Sequence, residues 1–217
     1  ILKKVADAKL PTGFKKEIIV VNDASTDGTG KQLAKIKRNF RLLRHRQNVG
    51  KGASIITGLT EAVGDLVLIQ DADLEYDPDD YVRLLEPFKS KHVQAVYGSR
   101  LINYPLRLFG KDKTPMPIHL IANKFLTLLT NVLYGHNVTD METGYKVVRR
   151  NLMTSLVLKS KRFDFEPEIT AKILKKGITI VEVPVKVKPR SYIQGKKIGW
   201  KDGLTAVWTL IKYRFID

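Results

Sequence analysis

The chain alternates short apolar runs with amphipathic stretches. Glu17–Asn22 (EIIVVN) is a β-branched run and predicts a buried strand. The turn Asp23–Gly30 leads into a helix ending near Arg38. Phe40–His45 predicts a strand, Gly50–Val63 a helix and Leu66–Gln70 another strand. Asp77 with Pro78 behind it reads as an N-cap followed by proline at the first helical position, opening a helix to about Lys89. Val93–Gly98 predicts a further strand. Ile102–Pro117 is a polar stretch with Pro105, Pro115 and Pro117, long enough for a lid or binding loop. Ile118, Ile121, Phe125, Leu128, Leu129 and Val132 then fall at helical spacing. Gly144–Val148 predicts a strand, Glu166–Lys176 a helix stopped by Gly177, Ile178–Lys188 a strand, and Trp200–Phe215 a closing amphipathic helix.

Strands alternating with helices predict an α/β fold with a mostly parallel, Rossmann-like sheet flanked by helices. No linker interrupts the pattern. Residues 1–217 therefore read as one domain, in two halves over 1–100 and 101–217.

Composition narrows the chemistry. The chain lacks cysteine, which excludes a disulfide scaffold, a Cys-ligated metal and thiol catalysis, and fits a reducing compartment. No apolar run reaches the ~18–20 residues that span a bilayer. Net charge is +16, which favours anionic partners. The excess gathers at the C-terminus, where eight basic residues from Lys186 onward face two acids.

In an open parallel sheet, ligands bind beyond the carboxyl ends of the strands. Three predicted strands deliver polar residues to that edge: EIIVVN ends at Asp23, LVLIQ at Asp71-Ala72-Asp73, and VQAVYG at Ser99-Arg100. Two acids spaced by one residue suit a hard cation, Mg²⁺ or Mn²⁺, which prefers carboxylate oxygens and leaves room for phosphates. Glu75 offers a third oxygen. A solvated acidic turn is the bland alternative. Ser25 or Thr26 can cap the following helix, and Asp23 is left over from that role. Asn48-Val49-Gly50-Lys51-Gly52 can hold phosphate through backbone N–H groups and Lys51, but it lacks the full P-loop pattern. His45, His92, His119 and His136 show no metal-ligand spacing and read as surface or capping residues. The Trp200, Leu204, Val207, Trp208, Ile211, Phe215 stripe fits either core packing or membrane contact.

Taken in order, VVNDASTDGT, RQNVGKGASIITG, LVLIQDADLEYDP, YGSR and TDMETGYKVVRR resemble family 2 of the inverting glycosyltransferases, which has the GT-A fold. RFDFEPEITAKILKKG and GKKIGWKDGL, with the terminal KYRF, resemble its polyprenol-phosphate and dolichol-phosphate sugar synthase branch. The resemblance implies roles residue by residue. Asp23 contacts the nucleotide base, and Lys51 lies near the nucleotide. Asp71, Asp73 and Glu75 hold the metal. Arg100 lies near the donor or acceptor phosphates and Asp140 near the sugar and acceptor. Arg190, Lys196 and Lys197 belong to a basic segment closing over the phosphates. Asn22 stands where many relatives carry a first Asp. The family also opens with a strand ending in a Pro-x-Tyr-Asn-Glu-like segment, which is absent here; losing a central strand would expose apolar faces, so the sequence reads as incomplete.

The resemblance implies metal-dependent, inverting transfer of a hexose from a GDP- or UDP-linked sugar (GDP-mannose or UDP-glucose type) to a polyprenyl or dolichyl phosphate. A phosphate acceptor is already ionised near neutral pH, so Asp140 can orient rather than take a proton. A family 2 enzyme acting on a glycan or other hydroxyl is the rival reading. A nucleic-acid-binding protein is disfavoured, because DADLEYDPDD repels phosphate unless a metal is bound. The expected enzyme sits at the cytoplasmic face of a membrane, peripheral and without a spanning helix. The basic C-terminal segment, the Trp200–Phe215 helix and the Pro-bounded loop are its points of contact.

Overall fold

A computed structural model describes residues 1–36, 39–102, 117–188 and 199–216. The 102–117 loop apart from its ends, and Arg190, Lys196 and Lys197, lie outside the described residues.

Helix α1 (Leu2–Asp7) precedes strand β1 (Ile19–Asn22), helix α2 (Thr29–Lys35) and strand β2 (Arg41–Arg44). Helix α3 (Lys51–Glu61) leads to strand β3 (Leu66–Leu68). Asp77 caps the next element as expected, its carboxylate accepting the Asp79 N–H. That element is not one helix, however. It runs as a 3₁₀ turn (Pro78–Asp80), helix α4 (Tyr81–Leu85) and a second 3₁₀ turn (Glu86–Lys89). Pro87 explains the break, since it has no N–H for an α-helical bond and crowds the preceding turn. Strand β4 (Ala95–Ser99), helix α5 (Pro117–Tyr134), strand β5 (Lys146–Arg149), helices α6 (Arg150–Ser155) and α7 (Phe165–Lys175), strand β6 (Ile180–Pro184) and helix α8 (Trp200–Phe215) complete the order.

The fold is α/β with helices flanking a mostly parallel sheet. β1 and β2 pair in parallel as one piece. The second piece has the order β3-β5-β4-β6, with β4 and β6 parallel. β5 alone runs backwards, antiparallel to both β3 and β4. This reversal matters for the site: the start of β5, not its end, lies at the edge where β3 and β4 finish.

Two apolar clusters pack on this second sheet. One joins Tyr97, Val148, Met153 and Ile169 to Leu210 and Tyr213. The other joins Val96, Val147 and Tyr145 to Leu84 and Phe88. Helix α7 is the central one. From Phe165 to Leu174 every residue is buried, including Glu166, Glu168 and Lys172.

Helices α5 and α8 correct a simple reading of their stripes. α8 turns Ala206, Thr209, Leu210 and Tyr213 inward. Trp200, Leu204, Trp208 and Phe215 are exposed, between 61% and 77%. On α5, Leu120, Leu126, Thr127 and Thr130 face the core, while Ile118, Ile121, Phe125, Leu128 and Val132 are exposed. The core-packing alternative thus fails for Trp200, Leu204, Trp208 and Phe215 of the α8 stripe, while Val207 packs against the core. Helical spacing finds an apolar face but not what it faces; here α8 packs on α5 and α7 through a face that mixes small, polar and apolar side chains.

Candidate active site

The ends of β1, β3 and β4 and the start of β5 converge on one edge. Asp23 follows β1. Its Oδ1 accepts from the Val49 N–H at 2.9 Å and pairs with His45 Nδ1 at 2.8 Å; its Oδ2 accepts from the Gly50 N–H at 2.7 Å. Burial opposes its charge, but the Val49 and Gly50 N–H groups and His45 outweigh that and hold its carboxyl below the usual range. A carboxylate offers about four acceptor positions, so roughly one, on Oδ2, is left for a ligand. His45 also reaches Thr57 Oγ1 at 3.0 Å, so it is a half-buried link rather than the surface or capping residue expected.

Lys51 opens α3. The preceding loop packs tightly on the 160–162 segment. A Cβ on Gly50 or Gly52 would collide with the carbonyl of Lys161 or Ser160, which is why glycine stands at both positions. Lys51 Nζ lies 2.9 Å from each oxygen of Asp71 and 2.6 Å from Glu166 Oε1. Burial works against its charge, yet Glu166 and Asp71 drive its pKa up, and it stays an ammonium.

Asp71 follows β3, and its backbone is pinned. Gln70 Oε1 accepts from Tyr81 and Tyr145 hydroxyls at 2.9 and 2.8 Å, while its Nε2 donates to the Asp71 carbonyl at 2.9 Å. Asp73 Oδ1 accepts from the Glu75 N–H at 3.1 Å. Leu74, with φ +64°, and Ala24, with φ +55°, sit in the two acidic turns. Left-handed backbone at a residue with a Cβ costs on the order of 1–2 kcal/mol, and it concentrates at functional sites. Gly144 keeps space beside Asp71, since a Cβ there would come within 2.5 Å of Asp71 Oδ2.

Arg100, after β4, grips Asp140 with both arms. Nε donates to Oδ2 and Nη2 to Oδ1, each at 2.7 Å, and the Arg100 N–H adds a third bond at 2.9 Å. The Asp140 side chain is fully buried. Its turn is fixed from two sides. Glu182 on β6 accepts the Thr139 and Asp140 N–H groups. On α5, Thr127 Oγ1 accepts from the Met141 N–H at 3.2 Å, and Asn131 makes two bonds to the Val138 backbone. Lys146 lies beneath, buried, donating to the Met141 and Thr143 carbonyls.

Among the sequence-predicted residues, the structure joins Lys51 to Asp71 and Arg100 to Asp140. Asp73 and Glu75 share the turn after Asp71. Three charged residues escaped the sequence reading. Glu166 and Lys146 are buried at the site, and Glu142 stands between them and Arg100 electrostatically. Burial, then Glu166, pushes the Glu142 carboxyl up to about 7. The family-like stretches TDMETGYK, which contains Glu142 and Lys146, and RFDFEPEITAKILKKG, which contains Glu166, carried the signal for them, with no role attached to any of the three.

Asp71 and Asp73 suit a divalent ion by donor chemistry. They supply hard carboxylate oxygens, few in number, as Mg²⁺ and Mn²⁺ accept when a diphosphate completes the shell. Among the described residues no three acidic or histidine side chains form a ready cage.

Residues 1–156 match the model of glycosyl transferase family 2, and the chain belongs to that family; it is a glycosyltransferase. A UDP-N-acetylglucosamine–dolichyl-phosphate N-acetylglucosaminyltransferase of Methanococcus voltae is 28% identical over 78% of this chain and 73% of its own length. A dolichyl-phosphate beta-glucosyltransferase of Trichomonas vaginalis is 30% identical over 79% of this chain, which spans about half (52%) of that relative. Glucosyl-3-phosphoglycerate synthase from Mycobacterium tuberculosis shares the fold. Its phosphoglyceric acid complex gives a TM-score of 0.65 at 20% identity, over 93% of this chain and 70% of that one.

Proposed function

We propose that the chain transfers a hexose from a UDP-linked sugar to the phosphate of a polyprenyl or dolichyl phosphate, inverting the anomeric carbon, at a membrane surface. The dolichyl-phosphate transferases among its relatives support the acceptor, and the UDP-sugar in the Methanococcus relative's name supports the donor. The observation that carries the reading is the double role of α5. Its inner face fixes the turn bearing Asp140. Its outer face exposes Ile121, Phe125, Leu128 and Val132, and α8, packed against it, exposes Trp208 and Phe215. A lipid phosphate whose tail stays in the bilayer needs such a surface next to its phosphate site.

In the reaction, the bond between the anomeric carbon and the diphosphate breaks as an acceptor phosphate oxygen attacks the opposite face. The separating charges give the sugar oxocarbenium character. Asp71 and Asp73 would hold Mg²⁺ or Mn²⁺, which when bound neutralises the departing diphosphate. Asp23 keeps one acceptor position for the nucleoside. Arg100 commits two of its five side-chain N–H donors to Asp140; among the described residues no bond takes the others, which can meet a phosphate. Asp140, gripped by Arg100, is a positioning residue. It need take no proton, because phosphate monoesters lose their second proton near pH 6. Arg190, Lys196 and Lys197 complete the phosphate contacts in this proposal.

The test is an assay of UDP-N-acetylglucosamine, UDP-glucose and GDP-mannose against a short polyprenyl phosphate. Transfer to the lipid phosphate is expected, lost with chelator and in Asp73→Ala while circular dichroism is unchanged. Transfer only to hydroxyl acceptors would overturn the reading.

A further inference from the structure

The contact between Lys51 and Asp71 places a cation of the protein's own on the carboxylate that the proposed function assigns to a metal ion. Lys51 Nζ meets both Asp71 oxygens at 2.9 Å, so an ion approaching those oxygens meets an ammonium already there. The contact is not a stray surface pair. Both side chains are about four-fifths buried, and Lys51 is held from behind by Glu166 Oε1 at 2.6 Å. Glu166 is 5% exposed, and its other oxygen, Oε2, is buried without a hydrogen-bond partner. A buried carboxylate oxygen with no donor is costly. Here it offers a second seat for the ammonium, next to the one it already uses. Around these groups stand Lys146 on β5, Glu142 and the mutually bonded Arg100–Asp140 pair, while the lysine is long and has rotatable bonds.

We propose that Lys51 is an exchangeable counter-ion. It competes with Mg²⁺ or Mn²⁺ for Asp71, and Glu166 receives it on both carboxylate oxygens when the metal arrives. Asp71 is thereby never an unpaired buried charge, and metal entry is coupled to a lysine movement toward Glu166. The assignment rests on Asp71 being a metal ligand. It adds that Glu166 governs metal affinity solely through Lys51, as a positioning residue.

The experiment measures Mn²⁺ binding directly, by calorimetry or by the loss of free-ion paramagnetic resonance, with no nucleotide present. Lys51→Met is expected to bind Mn²⁺ about tenfold more tightly than wild type, the fold-change of one charge-assisted hydrogen bond removed from the competitor. Glu166→Gln is expected to bind it more weakly, because the lysine then depends on Asp71. The decisive case is the double variant Lys51→Met/Glu166→Gln, which, unlike the single lysine variant, does not also strand the buried Glu166 charge. Exchange requires it to bind as tightly as Lys51→Met. If Glu166→Gln weakens binding equally in both backgrounds, Glu166 acts through its field alone and the exchange is refuted. If Lys51→Met binds no more tightly than wild type, competition is refuted. Asp71→Asn separates the underlying reading: unchanged Mn²⁺ affinity there means that Asp71 is no ligand, whatever the lysine variants do.

Discussion

At the scale of single residues, the site is a set of buried charges that hold one another in place. Arg100 and Asp140 show the logic most simply. Removing either partner would strand a charge that burial makes expensive, at about 3–5 kcal/mol. Glu142 is the weak member. The unfolded chain titrates this carboxyl near 4.5, whereas burial and Glu166 raise it to about 7 in the folded protein. Its folded pKa is the higher one, so its contribution to stability is complete below pH 4.5. That contribution is lost as pH rises through 7. Denaturant unfolding of wild type and Glu142→Gln across pH 4.5–8 is expected to show wild type losing stability relative to the variant over this window. Parallel curves would remove Glu142 from the buried charge set. The residues visible in the sequence were those at strand ends: Asp23, Asp71 and Arg100 follow apolar runs whose carboxyl ends define an edge. Glu166 entered only inside the family-like stretch RFDFEPEITAKILKKG, with no role of its own. It lies in a helix of ordinary amphipathic spacing, and spacing does not reveal that α7 is buried on all sides.

At the scale of elements, most segments were legible, because their apolar runs are long and their stop signals strong. Strand direction was not. Nothing in Gly144–Val148 says that β5 runs against its neighbours, yet this reversal delivers Asp140 and Glu142 to the same edge as Asp71 and Arg100. Helix α6 was missed because six residues give no period to read. The face that α5 turns to the core was unreadable for another reason: it is partly polar, and two of its threonines are buried. Thr127 is the useful probe. Thr127→Val keeps the shape and removes the acceptor of the buried Met141 N–H, which is expected to cost about 1–3 kcal/mol. Chemical denaturation measures the loss. Lower transfer activity under conditions where the variant remains folded would show the Asp140 turn moving with it.

At the scale of the whole molecule, charge and apolar surface meet on the exposed faces of two helices packed against each other. Exposed Ile121, Phe125 and Leu128 on α5 flank Lys124, and Trp208 and Phe215 on α8 flank Lys212 and Arg214. No described helix is long and apolar enough to cross a bilayer. The expected outcome is co-sedimentation with anionic vesicles that falls with added salt, each basic residue near the surface contributing about 1 kcal/mol. Phe125→Ser combined with Trp208→Ser should cut binding without lowering the melting temperature, since neither side chain is in the core. Wild type left in the supernatant at low salt would reject the membrane surface.

The central strand β4 has a consequence for how the protein is made. It is sealed on one side by β5 and on the other by β6, whose partner residues for Ala95–Ser99 are Ile180–Pro184. Helix α7, which fills the core, also comes late in the chain. While the ribosome is still synthesising the stretch from Ser99 to Pro184, roughly 4–17 s at ordinary elongation rates, β4 has an unsatisfied apolar edge. The Arg100–Asp140 pair can form earlier, but Lys51 has no Glu166 to meet until α7 emerges. The Lys51–Glu166 contact is therefore made only after α7 emerges, and the edge of β4 stays open over that whole stretch of synthesis.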